Sequence, residues 1–281
     1  MDIISALILG LVQGITEFLP ISSSGHLVIA ESWFKLNVES LKSFDIAVHF
    51  GTLLAILMYF RKDYVFLLRS LAHLVERKFH LLRGAREIGE KIELIVGVKM
   101  CGYLALGTVP AVLVGAFFGD FLDLYFRNPF WVAVMMIAVG VFFFIAEYVA
   151  VRAKTADFNL KNTALIGIAQ ACALVPGVSR SGATISSGLA LGLKREAAAR
   201  FSFLLGSVAI AAASLLALYK VVKGDVILPS SDLLGAGILA SFIAGYAAIA
   251  FLMRFLKHHT LHIFGVYRVV VGFAILYFVW F

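Results

Sequence analysis

Two polar stretches interrupt an otherwise apolar chain, and their residue types suit phosphate chemistry. The second stretch, Val175-Pro176-Gly177-Val178-Ser179-Arg180-Ser181-Gly182-Ala183-Thr184, is the simpler to interpret. Pro176 and Gly177 dictate a tight turn. Ser179, Ser181 and Thr184 then fall near a helix start, where free backbone amides attract anions, phosphate above all. Arg180 adds a planar fork of donors matched to phosphate oxygens. The bland alternative is a capped helix whose arginine snorkels to lipid headgroups. Three hydroxyls, Gly182 and an arginine at one break favour the phosphate cradle.

The first stretch runs Gln13-Gly14-Ile15-Thr16-Glu17-Phe18-Leu19-Pro20-Ile21-Ser22-Ser23-Ser24-Gly25-His26. Gln13 and Glu17, four apart, share a helix face. A buried lone carboxylate needs a cation, a proton or donors. Two readings stay open. Glu17 and the Gln13 amide oxygen could hold a hard divalent ion, Mg²⁺ or Ca²⁺, with phosphate and water completing its shell. Alternatively, Glu17 is protonated and bonded within the bundle. Ser22, Ser23 and Ser24 can cap the next helix. Ser23 and His26, three apart, set a hydroxyl near a base. His26 could instead attack phosphorus itself or protonate the leaving group.

The two stretches are related. At a constant offset of 157 residues, Gly10 matches Gly167, Gln13 matches Gln170, and Ser22, Ser24 and Gly25 match Ser179, Ser181 and Gly182. Phe44 matches Phe201 and Gly115 matches Gly272 in the same register. The differences are as informative: Glu17 faces Leu174, Ser23 faces Arg180 and His26 faces Ala183. One copy keeps acid, base and nucleophile, and the other keeps the cationic clamp. Hydrolysis of a phosphoanhydride needs both, so the two breaks are expected to meet in one cavity.

The elements that must position them are membrane helices. The 281-residue chain is 62% hydrophobic and 15% charged, against about 45–50% and about 25% for soluble domains. Six apolar segments, about 41–60, 94–118, 130–151, 197–222, 232–256 and 262–281, are long enough to cross a bilayer. Residues 3–19 and 160–175 are too short, end at Pro20 and Pro176, and are followed by short apolar pieces at 24–36 and 182–193. Each pair is expected to be a re-entrant hairpin. The expected fold is an all-α polytopic membrane protein with an inverted-topology repeat, residues 1–157 and 158–281, each with one hairpin and three spans. An amphipathic segment at about 61–93 should lie on the inner surface.

Net charge is +7. The basic residues cluster in short loops, so anionic lipid and the positive-inside rule account for them and nucleic acid is not expected as a partner. Arg61, Lys62, Arg69, Arg77 and Lys78 mark one cytoplasmic loop; Arg152, Lys154 and Lys161 mark another. Loop 119–129, with Asp120 and Asp123, should face outward, and Lys220 and Lys223 break the rule. No cleavable leader is expected at Met1-Asp2-Ile3. Cys101 and Cys172 are expected to be packing residues. Asp45 and His49 either flank the site or pair with each other. Lys99 and Arg268 are expected to snorkel or pair structurally. Glu147 and Arg254 are expected at the interface, and Trp131 and Trp280 as belt anchors.

The chain resembles the bacterial undecaprenyl-pyrophosphate phosphatases of the bacitracin-resistance BacA/UppP type. Gln13 to Glu17 is similar to that family's (Glu/Gln)-x-x-x-Glu motif. Leu19 to His26 is similar to its Pro-x-Ser-Ser-(Ser/Thr)-Gly-His run, and Pro176 to Thr184 to its Pro-Gly-x-Ser-Arg-Ser-x-x-Thr motif. The resemblance implies a phosphoric anhydride hydrolase that converts a polyprenyl diphosphate to the monophosphate carrier of cell-wall synthesis. It implies a divalent metal, a place in the bacterial plasma (inner) membrane, and a site open to the periplasmic side. Bacitracin resistance would follow from the shared substrate. It implies Glu17 and Gln13 at the metal, Ser23 or His26 acting on phosphorus, and Ser22, Ser179, Arg180, Ser181, Gly182 and Thr184 holding the diphosphate. Ser23 is favoured as nucleophile with His26 as its base. Gln13 stands where many members have Glu, which weakens its metal ligation. A homodimer is one candidate assembly. The rival class is a polyprenyl-phosphate transporter using the same hairpins. The acid-phosphatase-like lipid phosphatases are set aside because the chain has no Arg-Pro dipeptide.

Overall fold

The computed structural model describes residues 2–34, 38–78, 88–224 and 228–280. Among these, the secondary structure is helical throughout. The elements are α1 (Ile3–Phe18), α2 (Ser23–Phe34), α3 (Val38–Tyr59), α4 (Arg61–Lys78), α5 (Ile88–Phe126), α6 (Pro129–Arg152), α7 (Leu160–Cys172), α8 (Arg180–Ala190), α9 (Arg195–Lys223), α10 (Ser231–Phe255) and α11 (His262–Trp280). Residues 79–87 of the expected amphipathic segment lie outside the described residues, as do 35–37 at the end of the first hairpin.

Local sequence explains the boundaries. Asp2 caps α1 by accepting from the Ser5 amide at 2.8 Å. Asn128 caps α6, with Pro129 in its first turn. Asn159 caps α7. Gly224, in the left-handed region at φ 81°, ends α9.

Five helices are apolar and long enough to cross a membrane by themselves: Glu93–Leu122 within α5, and α6, α9, α10 and His262–Val279. The first expected span lies in α3; its part Phe44–Tyr59 qualifies together with Arg61–Leu74, and the pair is bent by 76°. α4 therefore turns away from α3, presenting Leu68, Leu71 and Leu74 outward. Asp63 on its first turn accepts from Arg200 Nε at 2.7 Å. Among the described residues the fold is all-helical, with five to six candidate membrane spans.

α1 packs along α10, and α7 packs along α5. Both pairs approach through glycine: a Cβ at Gly10 would lie 2.5 Å from the Gly237 carbonyl, and one at Gly167 would lie 2.7 Å from the Gly107 carbonyl. α6 packs on α11, and α3 on α9. At the 157-residue offset α1 falls on α7, α2 on α8 and α3 on α9, while Gly115 on α5 falls on Gly272 of α11.

Candidate active site

Each short helix ends where its sequence cannot continue it. α1 stops at Phe18, before Pro20. α7 stops at Cys172, before the Pro176–Gly177 turn, where Gly177 sits at φ 95°. Ser22 (φ 78°) and Ser179 (φ 72°) are the non-glycine residues with positive φ among those described. They stand at matching repeat positions, and such backbone costs about 1–3 kcal/mol each. Each serine then caps a helix in the same way: Ser22 Oγ accepts from the Gly25 amide at 3.3 Å, Ser179 Oγ from the Gly182 amide at 3.2 Å. The breaks also touch each other. Ser24 Oγ accepts from the Gly177 amide at 3.4 Å, and Ser181 Oγ donates to the Leu19 carbonyl at 3.3 Å.

Glu17 joins the two breaks. Its Oε1 accepts from Arg180 Nη2 at 2.6 Å. Its Oε2 accepts from Ser23 Oγ at 2.7 Å and from Gln13 Nε2 at 3.0 Å. His49 Nε2 stands 3.8 Å from the same oxygen. Glu17 is 8% exposed, so these contacts act in a medium that screens charge poorly. Two buried polar atoms have no partner here: Arg180 Nη1, a donor, and Gln13 Oε1, an acceptor. A bound anion and cation would satisfy them.

The bacitracin resistance protein BacA family matches residues 6–274. The chain is 42% identical to a protein of Rubrobacter xylanophilus, over 95% of each chain. It is 40% identical to one of Chlorobium chlorochromatii, over 98% of this chain and 96% of that one. It is 38% identical to one of Marinobacter nauticus, over 97% of each. All three relatives are named undecaprenyl-diphosphatase. The chain belongs to the BacA family.

In this BacA-family chain Glu17, Ser23 and Arg180 come together, drawn from both breaks. His26 lies one turn along α2 from Ser23, but it does not serve Ser23. Its Nδ1 is 2.7 Å from the Ser22 carbonyl, which can only accept, so Nδ1 carries the proton. Its Nε2 then accepts from Tyr267 Oη at 2.7 Å. Ser23 is thus hydrogen-bonded to Glu17, and both ring nitrogens of His26 are engaged elsewhere.

The hydroxyls expected to form a cradle are bonded within the protein. Thr184 is 1% exposed; its Oγ1 donates to the Arg180 carbonyl at 2.8 Å and shares a 2.5 Å bond with Ser202 Oγ on α9. Ser22, Ser179, Ser181 and Gly182 are buried within the capping network described above. They shape the breaks, while Ser23, Ser24, His26 and Arg180 retain exposure.

Other expectations change similarly. Asp45 pairs with Arg127 at 3.3 Å and does not use its side chain on His49, which donates Nδ1–H to the Asp45 carbonyl at 2.6 Å and turns Nε2 to Glu17. Glu147 is 2% exposed; it pairs with Arg195 and accepts from the Leu261 amide at 2.8 Å. Cys172 is exposed rather than packed inside. Of the two alternatives for Arg268 the structure shows structural pairing: it is fully buried and bonded to main-chain carbonyls. Tyr267 had no sequence signal, since it lies in an apolar span among other aromatics.

The divalent ion expected at Gln13 and Glu17 can be tested against these donors. No group of three or more His, Cys, Asp or Glu that could hold a metal occurs among the described residues. Gln13 Oε1 is buried beside Glu17 without a partner. The donors therefore fit an ion that takes most of its oxygens from phosphate and water.

Proposed function

We propose that this chain removes the terminal phosphate of undecaprenyl diphosphate, yielding undecaprenyl phosphate and inorganic phosphate. The observation that carries the mechanism is the bridge at Glu17, which ties Ser23 of one break to Arg180 of the other. Ser23 Oγ attacks the terminal phosphorus while its proton passes to Glu17 Oε2. The Oγ–phosphorus bond forms as the anhydride bond breaks, and the lipid monophosphate leaves. Arg180 holds the transferring phosphoryl oxygens. Water then attacks the phosphoserine and gives its proton to His26 Nε2. Ser23 departs as leaving group and regains its proton from Glu17.

A divalent ion would be held by Glu17, Gln13 Oε1 and the diphosphate's own oxygens, and would neutralise charge on the leaving phosphate. Ser22, Ser179, Ser181, Gly182 and Thr184 act as the frame of the substrate site. The loop charges support an inverted arrangement of residues 1–157 and 158–281 in the bacterial inner membrane, with the first hairpin entering from the periplasmic side. The second hairpin enters from the cytoplasmic side, which accounts for two breaks meeting midway. Sequestration by bacitracin of the same lipid diphosphate would link this activity to resistance.

The test is phosphate release from a polyprenyl diphosphate by detergent-purified protein. Hydrolysis by wild type and its loss in Ser23→Ala supports the phosphatase. Tight binding of the lipid with no phosphate released would favour the transporter class instead.

A further inference from the structure

Arg268 lies mid-way along α11, fully buried, with no carboxylate among its hydrogen-bond partners. A buried cation without a counter-ion is costly unless its donors are all met. Here they are met by main-chain carbonyls. Nη1 donates to Pro20 at 3.4 Å. Nη2 donates to Gly177 at 2.6 Å and Val178 at 3.0 Å, with Met135 at 3.4 Å. Nε donates to Met136 at 3.2 Å. Pro20 belongs to the first break, Gly177 and Val178 to the second, and Met135 and Met136 to α6. The guanidinium also lies 5.5 Å from the Phe143 ring centroid.

These carbonyls belong to the non-helical residues of the breaks, Pro20 beyond the end of α1 and Gly177 and Val178 beyond the end of α7. Such carbonyls have no intrahelical donors, and lipid offers none. One planar fork satisfies three of them across the two breaks at once, which a point-charge ammonium cannot do. Ser23 and Arg180 lie two or three residues beyond these anchored carbonyls. Their meeting at Glu17 depends on both breaks being held in one register.

Resting on the phosphatase reading above, we infer that Arg268 is a positioning residue for catalysis: it fastens both hairpin breaks to α6 and α11, and thereby sets the Ser23-to-Arg180 geometry without touching substrate. Removing it misaligns nucleophile and clamp, while each break still binds its share of the headgroup. Turnover should suffer and affinity should not.

The experiment compares full-length wild type, Arg268→Lys and Arg268→Met in detergent. It reads phosphate release from a polyprenyl diphosphate and amide hydrogen exchange by mass spectrometry. Both variants should lose kcat by roughly 10²-fold, the scale of an ångström-level misplacement, with KM within about twofold. Exchange should rise at residues 19–22 and 176–179 together, while α11 itself stays protected. If Arg268→Met does not fold, Arg268→Lys carries the test alone. Near wild-type kcat in Arg268→Lys, a loss confined to KM, or exchange rising at one break only would overturn the inference. Should wild type release no phosphate, the phosphatase reading fails while the exchange arm still tests the clasp.

Discussion

Glu17 and Arg180, 163 residues apart, form an ion pair of 2.6 Å, and the other oxygen of that carboxylate accepts from Ser23 at 2.7 Å. In the proposed mechanism Glu17 is thus both the counter-ion of the phosphate clamp and the acceptor aimed at the nucleophile. Glu17→Gln keeps the shape but removes the charge and the basicity. It should lower kcat by about 10²–10⁴-fold, the usual worth of a positioned base. Phosphate release against substrate concentration checks this, and a kcat within a factor of a few of wild type would exclude Glu17 as base.

Tyr267 holds the ring of His26 from across the structure. Its hydroxyl lies 2.7 Å from Nε2, and the two rings stack with centroids 5.8 Å apart. Tyr267→Phe keeps the stack and deletes one hydrogen bond. A net bond of about 1 kcal/mol predicts roughly a fivefold fall in kcat. Tyr267 is 40% exposed, so the melting temperature should hardly move. A change in melting temperature with kcat unaltered would make the contact structural only.

Gly206 on α9 leaves room for the clamp. A Cβ there would run into the guanidinium of Arg180. Gly206→Ala should therefore displace Arg180 and cost about 10²-fold in kcat/KM, despite adding one methyl group. Gly235→Ala on α10 is the control, because nothing lies within 4 Å of that Cβ. It should retain full activity and gain up to about 1 kcal/mol of helix stability. Equal activity in the two variants would show that Arg180 does not need its present seat.

The proposed divalent ion rests on the unpartnered Gln13 Oε1 beside Glu17. Excess chelator should stop turnover, and Mg²⁺ or Ca²⁺ should restore it. Gln13→Ala should raise the ion concentration needed for half-maximal rate without removing the Glu17–Arg180 pair. Full activity of wild type in chelator would leave Glu17 with its base and counter-ion roles alone.

The breaks and their partnership were legible in the sequence because proline, glycine and paired serines act locally. Pro20 and Pro176–Gly177 stop their helices wherever those helices lie, and Ser22 and Ser179 repeat one cap at one offset. The span boundaries were legible for a similar reason, since length and hydropathy are properties of each segment. What stayed hidden depends on rotation about helix axes and on distant partners. Ser23 and His26 are close in sequence, yet the imidazole is turned by Tyr267, 241 residues away. Thr184 shares a helix with Arg180, but it points at Ser202 on α9. The partners of Arg268 and Glu147 were not legible, because local sequence is the same for a charge that snorkels and one met inside. Only packing against α6 and α9 separates the cases.

The most direct measurement is a double-mutant cycle on phosphate release with Ser23→Ala, Arg180→Ala and the pair, in kcat/KM. Groups that act as one unit through Glu17 lose nearly everything once either is gone. The double variant should therefore be about as slow as the slower single variant. Losses that multiply would mean that nucleophile and clamp work independently, and would contradict a single site built from both breaks.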